Sequence, residues 1–239
     1  MERKRAFLMA SALLFVASAA GTVYWCRSMS GGMPMPGGWT MSMAWMRMPG
    51  ESWPVAAASF MGMWLVMMIA MMLPSLTLTL SGYSGATATA GAGYFFVWIL
   101  FGAAVYPVGV ALATAEMRWP ALARSVPLAV GGAFVLAGCL QLTAWKARQL
   151  VGCRDAIDCY GNAWRHGLRL GLRCCLCCFG FMMILLVSGV MDLIAMAVVT
   201  IAITIERLGP WPERVARAAG VVVIAAGALI IGQALARWS

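Results

Sequence analysis

The sequence predicts an all-α, polytopic membrane bundle of about seven transmembrane helices, with six as the alternative count. Two observations carry this. The chain is 63% apolar and only 10% charged, whereas an ordinary soluble domain is roughly a quarter charged. The apolar residues also fall in blocks of about twenty, the length a helix needs to cross a bilayer. Core helices of soluble proteins are shorter and keep a polar face. The net charge of +9 is spread between the apolar blocks. It therefore reads as orienting helices in the membrane rather than binding nucleic acid.

The elements follow in order. Residues 1–25 form a first transmembrane helix or signal anchor, with Arg3, Lys4 and Arg5 ahead of the apolar run Ala6–Trp25. Ala17-Ser18-Ala19 resembles a weak cleavage site, but the run is long enough to span, so an uncleaved helix is expected. Residues 26–53 are a linker rich in Met, Gly and Pro, in which Pro34, Pro36 and paired glycines rule out a regular helix. The remainder, 54–239, is the helical membrane domain. Val55–Leu80 is the second span. A connector without charge follows over 81–93, then Tyr94–Met117, kinked at Pro107, and Val126–Trp145.

Residues 146–173 read as a basic loop on the cytoplasmic side, with six cationic side chains against Asp155 and Asp158. The basic N-terminus belongs on the same side, and four spans between them satisfy both signals. The Met-rich linker then faces outward. Cys174–Ile205 is apolar for 32 residues, about 48 Å as one helix against a core of about 30 Å. A break at Ser188-Gly189 divides it, and the last span is roughly Val215–Ala236. No internal repeat is visible.

Sulfur is the unusual feature. Thirteen of the twenty methionines lie between Met29 and Met72. The linker holds Met29 and three Met-x-Met pairs: Met33/Met35, Met41/Met43 and Met46/Met48. A thioether is a soft, neutral ligand that suits Cu(I). The bland alternative is a flexible loop, or one lying on the membrane surface. Met61, Met63, Met67, Met68, Met71 and Met72 continue into the second span, where methionine is also an ordinary filler of helix interfaces.

Of eight cysteines, four lie in 174–178. A disulfide framework spreads its cysteines along a short secreted chain, so reduced thiols are expected. Cys174, Cys177 and Cys178 share one helix face at i, i+3 and i+4. They suit a soft metal, beside Arg169 and Arg173, which favour thiolate. Palmitoylation or simple packing are the alternatives. Met182 follows on the same face. Cys153, Cys159, Cys175, Met183 and Met191 are further candidates. Sulfur would then run from the outer linker to the inner thiols.

Little else could carry chemistry. His166 is the single histidine. Glu116, Asp192 and Glu206 lie near helix ends, where pairing with Arg or water is expected. No phosphate loop, nucleotide fingerprint or catalytic triad marks an enzyme.

These residues resemble one family, the predicted metal-binding integral membrane proteins. That uncharacterised-domain family includes a membrane copper chaperone accompanying a bacterial tyrosinase. The match lies in Trp64 to Pro74 with its paired methionines, in Gly138, Gln141 and Lys146 leading to Cys153-Arg154, and in Gly171 to Cys178. It continues through Met182-Met183, Met191-Asp192 and Glu206-Arg207. Leu170 stands where the family often has His, and Ala147 to Leu150 lack a further Cys. The resemblance implies a multi-pass protein of the bacterial inner membrane that handles copper. Its partners would be lipid and a copper-dependent oxidase or other cuproenzyme, with delivery rather than pumping or catalysis as the role. The alternative is a scaffold subunit of a membrane complex whose Met and Cys only pack.

Overall fold

The computed structural model of the chain describes residues 2–29, 31–48, 50–80, 83, 86–154 and 162–237, without the side chains of 2–4 and 154. Asp155, Asp158 and Cys159 lie outside the described residues. Among those described there are eight helices: α1 Glu2–Ser28, α2 Trp53–Leu80, α3 Thr87–Arg118, α4 Pro120–Gln141, α5 Ala144–Arg154, α6 Ala163–Ser188, α7 Leu193–Leu208 and α8 Pro212–Ala236. Six are long and apolar enough to cross a membrane: α1, α2, α3, α4, α6 and α8. The chain is a multi-pass helical membrane protein.

The linker forms a small antiparallel hairpin, β1 Met33–Met35 and β2 Trp39–Met41, with Met33 opposite Met41. A 3₁₀ turn at Met43–Trp45 follows, capped by Ser42, whose hydroxyl accepts from the Ala44 N–H. Trp39 ties the hairpin down by donating its indole N–H to the Ala123 carbonyl at 2.8 Å.

Two stretches depart from expectation. The connector read over 81–93 is helical from Thr87 onward, because a run of Ala, Thr and Gly without charge can extend an apolar helix that packs on a neighbour. The segment read as a basic loop over 146–173 holds α5 and the first turns of α6. Its charges had masked an apolar face, with Leu150 and Cys153 buried in the core. The break after Ser188 is sharp. Gly189 sits at φ +119°, a conformation glycine adopts freely. Asp192 then caps α7, accepting from the Ile194 and Ala195 N–H groups.

The helices pack in two different ways. α4 and α8 cross with backbones nearly touching, through Gly131 and Gly138 on one side and Gly220 and Gly227 on the other. A Cβ on Gly138 would lie 2.7 Å from the Gly220 carbonyl oxygen, and one on Gly227 2.8 Å from that of Gly131. Small residues let membrane helices approach in this way. α2 and α6 instead occupy the centre and are the most enclosed of the spans. Their sulfur-bearing faces meet the core together with Trp64, Tyr94 and Trp98.

Candidate functional site

Helix α6 presents Cys174, Cys177 and Cys178 to the interior, each at most 2% exposed. Cys175 is turned partly away, as its 100° offset requires. Cys174 Sγ lies 3.8 Å from Cys178 Sγ and 4.0 Å from Met72 Sδ on α2. Helix α5 adds Cys153, 1% exposed and buried in the same core. Interaction with Cys174 and Cys177, then burial, holds the Cys153 thiol well above its usual range. Four thiols from two helices and one thioether from a third meet in one buried place.

A ring of polar groups surrounds this sulfur. Tyr94 donates its hydroxyl to Cys174 Sγ at 3.0 Å. Arg207, at the end of α7, reaches Cys174 Sγ at 3.4 Å and Ser75 Oγ at 2.7 Å. Its other terminal nitrogen is buried with no hydrogen-bond partner among the described residues. Lys146 on α5 donates to the Cys177 carbonyl at 2.7 Å and pairs with Glu206 at 2.7 Å. Gln141 donates to the second Glu206 oxygen at 2.9 Å. For Lys146 burial acts to lower the pKa, but Cys177, Glu206 and Cys178 more than offset it and the net shift is upward. The lysine stays charged inside the protein. Among the described residues, no group of three or more Cys, His, Asp or Glu side chains is placed to hold a metal ion by itself. The sulfurs are held by hydrogen bonds to one another and to Tyr94 and Arg207.

The other sequence candidates separate into groups. Met67, Met68, Met71, Met72 and Met182 are all buried in the core, each at most 3% exposed, and Met183 is half-buried. Linker residues Met43, Met46 and Met48 line a cavity of about 80 Å³ together with Met29, Met63 and Glu51. Met33, Met35 and Met41 belong to the hairpin, apart from that cavity. Met191 meets Cys26, with Sγ and Sδ 3.8 Å apart.

Sequence reasoning passed over Cys26 and Tyr94, and had Arg207 only as part of the resembled stretch, with no role at the thiols. It read Lys146 as an exposed topology signal and Glu206 as paired with Arg or facing water, whereas the two pair with each other at the thiols. The available signal was an ionisable pair, Glu206-Arg207, at the end of an apolar run, since ionisable groups at membrane depth are costly and mark function.

A comparison with family models bears on what such a site handles. Residues 61–230 match the PpoB2 model, described as a copper chaperone. The chain belongs to this copper chaperone family. The match includes α2 from Met61, the whole thiol cluster and its polar ring, and it supports a copper-handling, non-catalytic role. No curated protein and no solved structure matches the chain.

Proposed function

We propose that this protein carries Cu(I) within the bacterial inner membrane and delivers it to a cuproenzyme. In this reading Cys174, Cys177, Cys178 and Met72 hold the ion, and Cys153 steadies the thiols before it arrives. The observation that carries the reading is the meeting of four thiols and a thioether beside two buried cations. Sulfurs bound at about 2.3 Å in a tetrahedral site stand about 3.8 Å apart, the separation of Cys174 and Cys178. Soft sulfur selects Cu(I) over hard cations.

Charge supports the same assignment. Lys146, Arg207 and Glu206 together leave one positive charge in a dry interior. Cu(I) held by two of the thiols, each giving up its proton as the ion binds, brings the whole to neutrality. A buried charge without a partner is costly, so the loaded site is the balanced one. The linker methionines face the outside in this scheme and gather the ion. Met63, Met67, Met71, Met72 and Met182 line its route to the thiols.

Anaerobic Cu(I) titration of the purified protein tests the binding. Stoichiometric copper in the wild type, reduced by Cys174→Ser, Cys177→Ser and Cys178→Ser together, supports the carrier. Protein that stays metal-free under reducing, copper-supplied conditions is a scaffold instead. Delivery is tested by mixing the loaded protein with an apo-cuproenzyme. Activity must appear without free copper, as judged with a Cu(I) chelator present.

A further inference from the structure

We propose a second, separate Cu(I) site in the methionine-lined cavity between the 3₁₀ turn and the first turns of α2, built from Met29, Met43, Met46, Met48 and Met63. It rests on the copper-handling reading and specifies where the ion is first taken up. The cavity has about 80 Å³, room for a bare ion but not for an organic solute. Its polar rim is formed by Glu51 and Ser59. Among the described residues, Glu51 is the only charged group lining the cavity, and it favours a cation. The nearby cation of the same segment, Arg47, lies over the Trp53 ring at 5.4 Å and does not line the space.

The cavity is held in shape by packing that involves no ligand. Ser42 caps the 3₁₀ turn, and Trp45 packs on Phe60 at 5.3 Å and against Gly109 of α3. Filling space alone does not call for this composition, because leucine has nearly the same volume and defines its rotamers better. Thioethers are neutral, so they bind Cu(I) without losing a proton and keep working where thiols would be protonated or oxidised.

The site also leads somewhere. Met63 belongs to the cavity and begins a series with Met67 and Met71, each one about 6 Å further along the helix axis. Met72 ends the series 4.0 Å from Cys174. The whole interval from Met63 to Met72 is roughly 13 Å. Cys26, three residues before Met29, touches Met191 and adds a sulfur pair at the same end of the bundle.

The test uses the full chain in lipid nanodiscs, titrated anaerobically with Cu(I) against bicinchoninate. Wild type should bind one equivalent more than the Cys174→Ser, Cys177→Ser, Cys178→Ser variant. That variant should keep an equivalent with sulfur-only X-ray absorption. Adding Met43→Leu, Met46→Leu and Met48→Leu should abolish it. Survival of that equivalent in the combined variant, or its absence from the cysteine variant, overturns the proposal while leaving the thiol site standing. Absence of copper from the wild type removes both. A measurement without substitutions guards against misfolding. Wild type titrated at pH 5 should keep the thioether equivalent while the thiol equivalent weakens. Equal weakening of both counts against the methionine site.

Discussion

Over roughly 13 Å along α2, sulfur passes between two opposite settings. At the start of the helix, Met29, Met43, Met46, Met48 and Met63 surround a small cavity rimmed by one carboxylate. Near its end, Met72 joins four thiols beside Arg207, Lys146 and Glu206. The first setting is nearly neutral and partly open. The second is charged and wholly enclosed. Ligand type follows setting. Thioethers need no counter-charge, whereas thiolates in a dry interior need cations next to them. The difference would move an ion one way, from weak neutral sulfur to strong anionic sulfur.

The contrast can be broken at several points. The largest effect should come from Cys174→Ser with Cys177→Ser, which removes two of the sulfurs proposed to hold the ion. Copper should be lost from the cluster altogether while the methionine equivalent persists, as read by competitive titration. Next is Lys146→Met, which leaves Glu206 buried without its cation. Chemical denaturation in mild detergent should show a loss of about 3–5 kcal/mol. Glu206→Gln in the same chain should restore much of it. Neither change should alter the methionine equivalent.

Arg207→Met should weaken copper binding at the cluster by about 10–100-fold with the fold intact, since the guanidinium acts on the ligands rather than as one. An unchanged affinity would mean that Arg207 serves packing only. The mildest effect is that of pH. Cys153 keeps its proton far above the ordinary thiol range, so an ion that displaces a proton from the cluster competes with it. Affinity there should rise with pH, by about tenfold per unit for each proton released. The methionine equivalent should stay level across the same range.

The helices were legible because a span must be apolar for about twenty residues, and α1, α2, α3, α4, α6 and α8 satisfy that by composition. The break after Ser188 was legible from length alone. α5 was not. Its lysine and arginines read as a solvated loop, while Leu150 and Cys153 on its other face turned inward. For the site, the spacing of Cys174, Cys177 and Cys178 announced one face, and α6 displays it. Nothing in that spacing reveals that Cys153 arrives from another helix, or that Arg207 comes from α7. Those are contacts across long stretches of chain, set by how the helices cross. The linker methionines looked equivalent along the sequence. The hairpin and the 3₁₀ turn separate them, because Trp39 anchors one part on α4 while Trp45 anchors the other between α2 and α3.

Helix α7 has a bearing on the surrounding lipid. Its 16 residues rise about 24 Å, less than the roughly 30 Å hydrocarbon thickness. A short element of this kind makes the acyl chains dip locally or draws headgroups inward. Glu206 and Arg207 stand at its terminus, so the depression would form on the flank next to the thiols. An acceptor approaching there would meet a thinner insulating layer than elsewhere around the protein. In the proposed delivery role, hand-over should accordingly respond to bilayer thickness, slowing as longer acyl chains are used.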